Sequence, residues 1–111
     1  MMNSSELRET LRQMLAVLQA ERQALAELNL DAILGTADDK EALCGRLGQT
    51  RPDEVDEECR GMLDAAQRLN EINRQVRNLI SANVTARLNA LAGMPALYNA
   101  APAYSYATAR K

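Results

Sequence analysis

Apolar residues recur along most of this chain at intervals of three and four, the spacing that places side chains on one face of an α-helix. The pattern predicts three helices, over about residues 4–28, 31–47 and 51–92. Glu21 interrupts the apolar stripe of the first helix, whose other members are mostly leucines. The residues after 93 show no helical period, so we expect residues 94–111 to form an extended or disordered tail.

Short polar segments mark where the predicted helices begin and end. Asn3, followed by Glu6 three residues later, predicts a capped start for the first helix. Residues 29–31 predict its end, because Asn and Asp side chains compete for backbone hydrogen bonds. Thr50 followed by Pro52 predicts the start of the third helix, because proline is tolerated in a first helical turn.

The predicted fold class is all-α, with residues 1–93 as a single helical domain. We expect an elongated antiparallel arrangement of three helices with a long third helix and an irregular C-terminal tail. The helix lengths allow two versions. In a kinked hairpin, the first two helices form one arm along the third; in a small bundle, the second helix folds back on the first. The sequence leaves both open.

Composition argues against catalysis. The chain has no His, which excludes Ser-His and Cys-His pairs and zinc sites that use imidazole. Its two cysteines are too few for a four-thiolate metal site, and it contains no glycine-rich phosphate loop. We therefore expect no enzyme activity, no cofactor and no metal. The N-terminal residues lack the apolar run of a signal peptide and no segment is apolar enough to span a membrane, so we expect a cytoplasmic protein.

Charge is distributed unevenly along the chain. Residues 1–64 contain fourteen acidic and seven basic residues, whereas residues 65–111 contain one acidic and six basic residues. The second part is therefore basic by five charges although the whole chain has a net charge of −2. This asymmetry predicts either an acidic partner for the second part or complementarity between the two parts. Nucleic acid is a weaker alternative, because no aromatic residues lie among the bases on the helix.

The third helix carries a face of mixed polarity. Apolar residues alternate there with carboxamides and arginines, which is too polar for a sealed core and too apolar for ordinary surface. Such a mixture suits a surface that accepts another helix, with apolar anchors for affinity and polar groups for register. The alternative is a bundle interior with polar edges. The predicted partner-binding residues, with a tyrosine of the tail, are Asn73, Val76, Arg77, Ile80, Asn83, Val84, Arg87 and Tyr98.

Three segments resemble the FlgN-type flagellar export chaperones. Residues 25–47, LAELNLDAILGTADDKEALCGRL, are similar to that family's "L…DLDAL…EEKEALL…L" segment. Residues 66–80, AQRLNEINRQVRNLI, resemble the "LQ-LN-LN--LI" pattern of its last helix. Residues 97–102, LYNAAP, are similar to its "Y-D/S-x-x-G" ending with Tyr98 as the tyrosine, although the glycine is absent.

The resemblance implies an all-helical cytoplasmic chaperone. Family members bind the hook-filament junction proteins, also called hook-associated proteins 1 and 3, and deliver them to the flagellar type III export apparatus. The last helix and the tail contact the substrate in that family, and the tail tyrosine is associated with the membrane export gate. Two other functions stay open for this chain: a structural coiled-coil adaptor or homodimer without an export role, and a small helical nucleic-acid binder.

Overall fold

The computed structural model describes residues 3–93, and these residues form α-helices without any strand. Helix α1 spans Ser4–Glu27, α2 spans Leu30–Leu47 and α3 spans Glu57–Ala92, with one 3₁₀ turn at Pro52–Glu54 between α2 and α3. The all-α class and the long third helix are confirmed. The predicted tail, with Tyr98, lies outside the described residues.

Local hydrogen bonds explain where α1 begins and ends. The Glu6 N–H donates to Asn3 Oδ1 at 2.8 Å and the Asn3 N–H donates to Glu6 Oε1 at 3.0 Å, which confirms the predicted capping box. At the other end Leu28 adopts the left-handed conformation, with φ 54° and ψ 38°, and the Asn29 N–H donates to Ala24 O at 3.0 Å. Glycine usually occupies such a position, and a side chain there costs about 1 kcal/mol.

The start predicted for the third helix, residue 51, is wrong. Pro52 begins only a single 3₁₀ turn, in which the Arg51 N–H donates to Glu54 Oε1 at 3.0 Å. Val55 then has an extended conformation, with φ −91° and ψ 105°, and interrupts the helix. Asp56 provides the effective cap, because its Oδ1 accepts a hydrogen bond of 2.8 Å from the Cys59 N–H. The proline signal therefore marks a turn, and α3 begins six residues later, at Glu57.

Helix α2 folds back on α1, which selects the small bundle over the kinked hairpin. Leu7 and Leu11 of α1 pack with Cys59 of α3, and Leu47 near the end of α2 packs against this cluster. Further along α1, Met14 and Leu18 pack with Leu43 of α2 and Ala66 of α3. The contacts advance together along α1 and α3 but in reverse along α2. Within residues 3–77, α2 is therefore antiparallel to both of its neighbours.

The chain divides into two units between Arg77 and Asn78. The first unit contains α1, α2 and residues 57–77 of α3, with the core described above. In the second unit the described residues, 78–93, are the remainder of α3 and Gly93, and residues 81–91 are all exposed. The single domain predicted for residues 1–93 stays a prediction, because the division falls within a continuous helix.

Candidate interaction surface on helix α3

One face of α3 is buried in the first unit. Cys59, Ala66 and Asn73, spaced by seven residues, are 0%, 6% and 0% exposed. Leu69 lies at the edge of the same face and packs partly buried against the core. All three buried residues are small or medium in size, which allows the leucines of α1 to approach the helix closely.

Asn73 is buried inside the bundle and holds α3 to α1. Its Nδ2 donates to the backbone oxygen of Leu18 at 2.8 Å and to Oε1 of Glu21 at 2.9 Å. Its Oδ1 is buried and has no partner among the described residues. Since a buried carboxamide loses its hydrogen bonds to water, these two bonds offset a large part of that loss.

Glu21 is the centre of a polar cluster that joins all three helices. Its side chain is only 3% exposed. Lys40 of α2 donates to both carboxylate oxygens at 3.2 Å, and Arg77 of α3 donates to Oε2 at 2.8 Å. Lys40 also donates to Oδ1 of Asn70 at 2.9 Å. The carboxylate is thus fully bonded by two cations and one amide, as a buried charge requires.

The structure corrects the role predicted for Asn73 and changes that of Arg77. Asn73 is completely buried, so it is unavailable to a partner in this fold. Arg77 is partly exposed, but its guanidinium is paired with Glu21. Sequence spacing placed both residues on the apolar face of α3, and that assignment is right. The spacing did not indicate whether the polar group that bonds to Asn73 and Arg77 belongs to this chain or to another protein.

The remaining predicted residues lie on accessible parts of α3. Val76 and Ile80 are half-buried, and Asn83, Val84 and Arg87 are exposed. Tyr98 lies outside the described residues. These five described residues stay predicted partner contacts. Asn73 is removed from that set, and the main role of Arg77 is to pair with Glu21.

Large apolar side chains that were not among the predicted site residues extend this surface. Leu79, Leu88 and Leu91 are 67%, 60% and 56% exposed, and Val84 is 49% exposed. Helical spacing places Ile80, Val84, Leu88 and Leu91 on one face. Leu88 and Leu91 had a signal in the sequence, because they follow Val84 at intervals of four and three residues. We call the set Ile80, Val84, Arg87, Leu88 and Leu91 the α3 stripe.

The described residues offer little to a small substrate. An apolar hollow of about 200 Å³ is lined by residues including Leu7, Val55 and Cys59, and another of about 180 Å³ lies between α2 and α3 beside Cys44. Both are smaller than typical ligand sites, which span about 300–1,000 Å³. Residues 3–93 contain no cluster of Cys, Asp or Glu side chains that could hold a metal ion.

Both cysteines are free thiols: Cys44 is exposed and Cys59 is buried. Burial raises the pKa of the Cys59 thiol, and the neighbouring Asp56 carboxylate raises it further. A raised pKa keeps the thiol protonated and unreactive, so Cys59 functions here as a small core residue.

No family model, curated protein or solved structure matches this chain. None of its described helices is long and apolar enough to cross a membrane. The likeness to FlgN-type chaperones therefore stays a resemblance of short segments, and the exposed stripe on α3 is the feature from which a function can be argued.

Proposed function

We propose that this chain is a cytoplasmic, non-enzymatic export chaperone that binds an amphipathic helix of its client along the α3 stripe. The observation that carries the proposal is the exposure of large apolar side chains on one face of a well-formed helix. Contiguous apolar surface of this kind on a small protein indicates a binding site for another macromolecule.

The energetics favour a protein helix as the partner. Full burial of the four apolar side chains of the stripe would contribute roughly 6 kcal/mol, at about 1.5 kcal/mol each. Association itself costs about 4–15 kcal/mol, so the client must bury comparable apolar surface of its own. A client helix with apolar residues at intervals of three and four meets this requirement, and the expected affinity is in the micromolar range.

The single charged residue of the α3 stripe favours an acidic client. Arg87 is the only charged residue between positions 78 and 93, it is exposed, and it forms no ion pair with another described residue. Asn83 lies one turn before it and is also exposed. An acidic side chain on the client would pair with Arg87, and the Asn83 carboxamide would help to fix the register.

The resemblance to FlgN-type chaperones supplies the identity of the proposed client. We expect the hook-filament junction proteins, hook-associated proteins 1 and 3, to bind the last helix and tail, which would prevent premature assembly. Delivery would then be to the flagellar type III export apparatus, with Tyr98 as a contact for the membrane export gate. Neither nucleic acid nor membrane insertion is part of this proposal.

Co-elution of the purified chain with the C-terminal segment of a junction protein tests the proposal. The double variant Val84→Asp, Leu88→Asp should lose the complex. Ala82→Asp with Asn89→Asp is the matched control, because it adds the same charge on the opposite side of the helix and should keep the complex. Circular dichroism must show equal helix content in both. Failure of the unmodified chain to co-elute at micromolar concentration would refute the proposal.

A coiled-coil adaptor or homodimer is the alternative, because a second copy of the chain could also cover the stripe. Sedimentation equilibrium separates the two functions. A chaperone with a free client surface should sediment as a monomer at micromolar concentration. A tight dimer that Val84→Asp converts to a monomer would favour the alternative.

A further inference from the structure

Three leucines at the junction of α1 and α2 form a second exposed apolar surface, within the first unit. Leu28, Leu30 and Leu34 are 65%, 66% and 57% exposed. Leu30 and Leu34 are four residues apart on α2, so they share the face that points away from the bundle, while Leu43 on the other side of α2 is buried. We call these three residues the leucine patch.

The backbone at Leu28 provides an independent observation. This residue caps α1 in the left-handed conformation, and it is the one non-glycine residue with positive φ among residues 3–93. Glycine would satisfy the same hydrogen bonds without strain and without exposing a leucine. The native residue thus carries two unfavourable features, strain and apolar exposure, that stability alone does not explain.

The leucine patch is bordered by acidic residues. Asp38 and Glu41 continue the outward face of α2 beyond Leu34, and Glu27 and Asp31 flank the leucines at the helix junction. All four are exposed, and none forms an ion pair with another described residue. The only base nearby on α2, Lys40, is turned inward to Glu21 and Asn70. The outward face therefore carries negative charge without a compensating cation.

We infer that the leucine patch docks a basic amphipathic helix of a partner protein. The leucines receive the apolar face of that helix, and the four carboxylates pair with Lys or Arg on its flanks. The negative rim repels anionic phospholipids and nucleic acid. It also opposes pairing of the patch with the same patch of a second copy, which would bring like charges together.

This surface is separate from the α3 stripe and does not depend on the proposed client. If the proposed function holds as well, the two surfaces differ in preference, because the stripe is proposed to bind acidic helices and the leucine patch basic ones.

Methyl NMR of the full-length chain, labelled at leucine, tests the inference with a synthetic probe. The probe is an amphipathic peptide of about 18 residues, with leucines at helical spacing and lysines on both flanks. A peptide of identical composition in scrambled order is its control. We expect the methyl signals of Leu28, Leu30 and Leu34 to shift with the amphipathic peptide only. Shifts confined to Leu79, Leu88 and Leu91, or no shifts, would overturn the inference.

Variants sharpen this test. Leu28→Gly should raise the melting temperature and yet weaken peptide binding about fivefold, a combination that a purely structural role of Leu28 would not give. Asp38→Asn should weaken binding roughly threefold and reduce its salt dependence. Asp39→Asn is the matched control, because Asp39 is exposed on another side of α2 and should leave binding unchanged. Equal effects of the two Asp variants would contradict docking on this face.

Two further measurements exclude other occupants. Vesicles of mixed phosphatidylcholine and phosphatidylglycerol should leave the three leucine signals unmoved, and a shift would assign the patch to a lipid surface instead. Dilution of the chain without peptide should likewise leave them unmoved. Concentration-dependent shifts that Leu30→Asp removes would show that a second copy is the occupant, and either result would overturn the inference.

Discussion

Residues 57–77 and 78–92 belong to the same helix, yet one face of the first stretch is buried and the second stretch is mostly exposed. In the first stretch the face toward α1 consists of Cys59, Ala66 and Asn73, all buried. In the second stretch the same side of the helix continues with Val84, Leu88 and Leu91, all exposed. The small residues mark the part of α3 that packs against its own chain, and the large exposed residues mark the part available to another.

The two stretches also differ in what keeps them helical. Residues 57–77 are held by core packing and by the Glu21 cluster. Residues 81–91 are exposed throughout, so their helix depends on intrinsic propensity and on continuity with the packed part. Changes in the first stretch should therefore alter folding, whereas equal changes in the second should alter binding.

The largest contrast is expected from placing a carboxylate on each stretch. Ala66→Asp would bury an unpaired charge in the core and should lower the free energy of unfolding by at least about 3 kcal/mol. Val84→Asp places the same group in solvent and should change it by no more than about 0.5 kcal/mol. Urea unfolding followed by circular dichroism measures both. Similar losses in the two variants would show that the stretches do not differ in packing.

Leucine truncation gives the next contrast. Leu18 is 1% exposed in the core that contacts α3, whereas Leu88 is 60% exposed. Leu18→Ala should cost about 3 kcal/mol, because it removes buried apolar contacts and leaves a cavity. Leu88→Ala should cost under about 0.5 kcal/mol in the isolated chain. If thermal unfolding shows a large loss for Leu88→Ala, the exposed stripe contributes to folding and is not a free surface.

Removal of the Glu21 carboxylate should have an intermediate effect on the free energy of unfolding. Glu21→Ala leaves Asn73 without its side-chain partner and leaves Lys40 and Arg77 without their anion. Because both cations retain access to water, we expect the free energy of unfolding to fall by about 2 kcal/mol. Removing one partner of a fully buried ion pair would cost more. The double variant Glu21→Leu, Asn73→Leu should recover part of this loss, since the carboxamide that loses its partner is then removed as well. Chemical denaturation checks both values.

The smallest effect on stability is expected from Asp56, the cap of α3. The hydrogen bonds from Cys59 hold the pKa of Asp56 below its ordinary value of 3.8, and the nearby Arg8 contributes to the same direction. Because the folded pKa is the lower one, this contribution to stability is complete above the ordinary pKa and is lost as the pH falls through the folded pKa. Asp56→Ala should therefore weaken the dependence of stability on pH below about pH 4, and destabilise the chain slightly at neutral pH.

A second carboxylate serves as the control for this pH effect. The pKa of Glu71 is also lowered, first by its hydrogen bond to Arg74, on the exposed side of α3. Glu71→Gln should remove a similar part of the acid dependence without affecting the start of the helix. Unfolding curves measured from neutral to acidic pH distinguish the two variants, because only Asp56→Ala should also destabilise the chain at neutral pH. If the stability of Asp56→Ala depends on acidic pH as that of the unmodified chain does, the cap does not contribute to the pH dependence.

Sequence periodicity predicted the helices well, but it did not reveal which faces of α3 are buried. The bounds of α1 and α2 are within one residue of the prediction at each end, because capping residues and apolar spacing act locally. The start of α3 was wrong because one proline signal is shared by a 3₁₀ turn and an α-helix. Asn73 was placed on the correct face, but spacing alone does not reveal which neighbour covers that face.

Glu21 shows which signal could have resolved this ambiguity. It interrupts the leucine stripe of α1, just as Asn73 interrupts the apolar stripe of α3. Two polar residues on two facing apolar stripes predict a pair inside the bundle, and the structure contains that pair at 2.9 Å. For the α3 stripe, spacing alone does not reveal exposure, because apolar residues recur at the same intervals on a buried face and on an exposed one.

The two thiols give the molecule a built-in reporter of its own folding. An alkylating reagent has direct access to Cys44, whereas it reaches the fully buried Cys59 only when α1 separates from α3. The ratio of the two labelling rates therefore measures how often this interface opens, without any added probe or tag. A client that binds elsewhere on α3 would leave that ratio unchanged, and one that loosens the bundle would increase it.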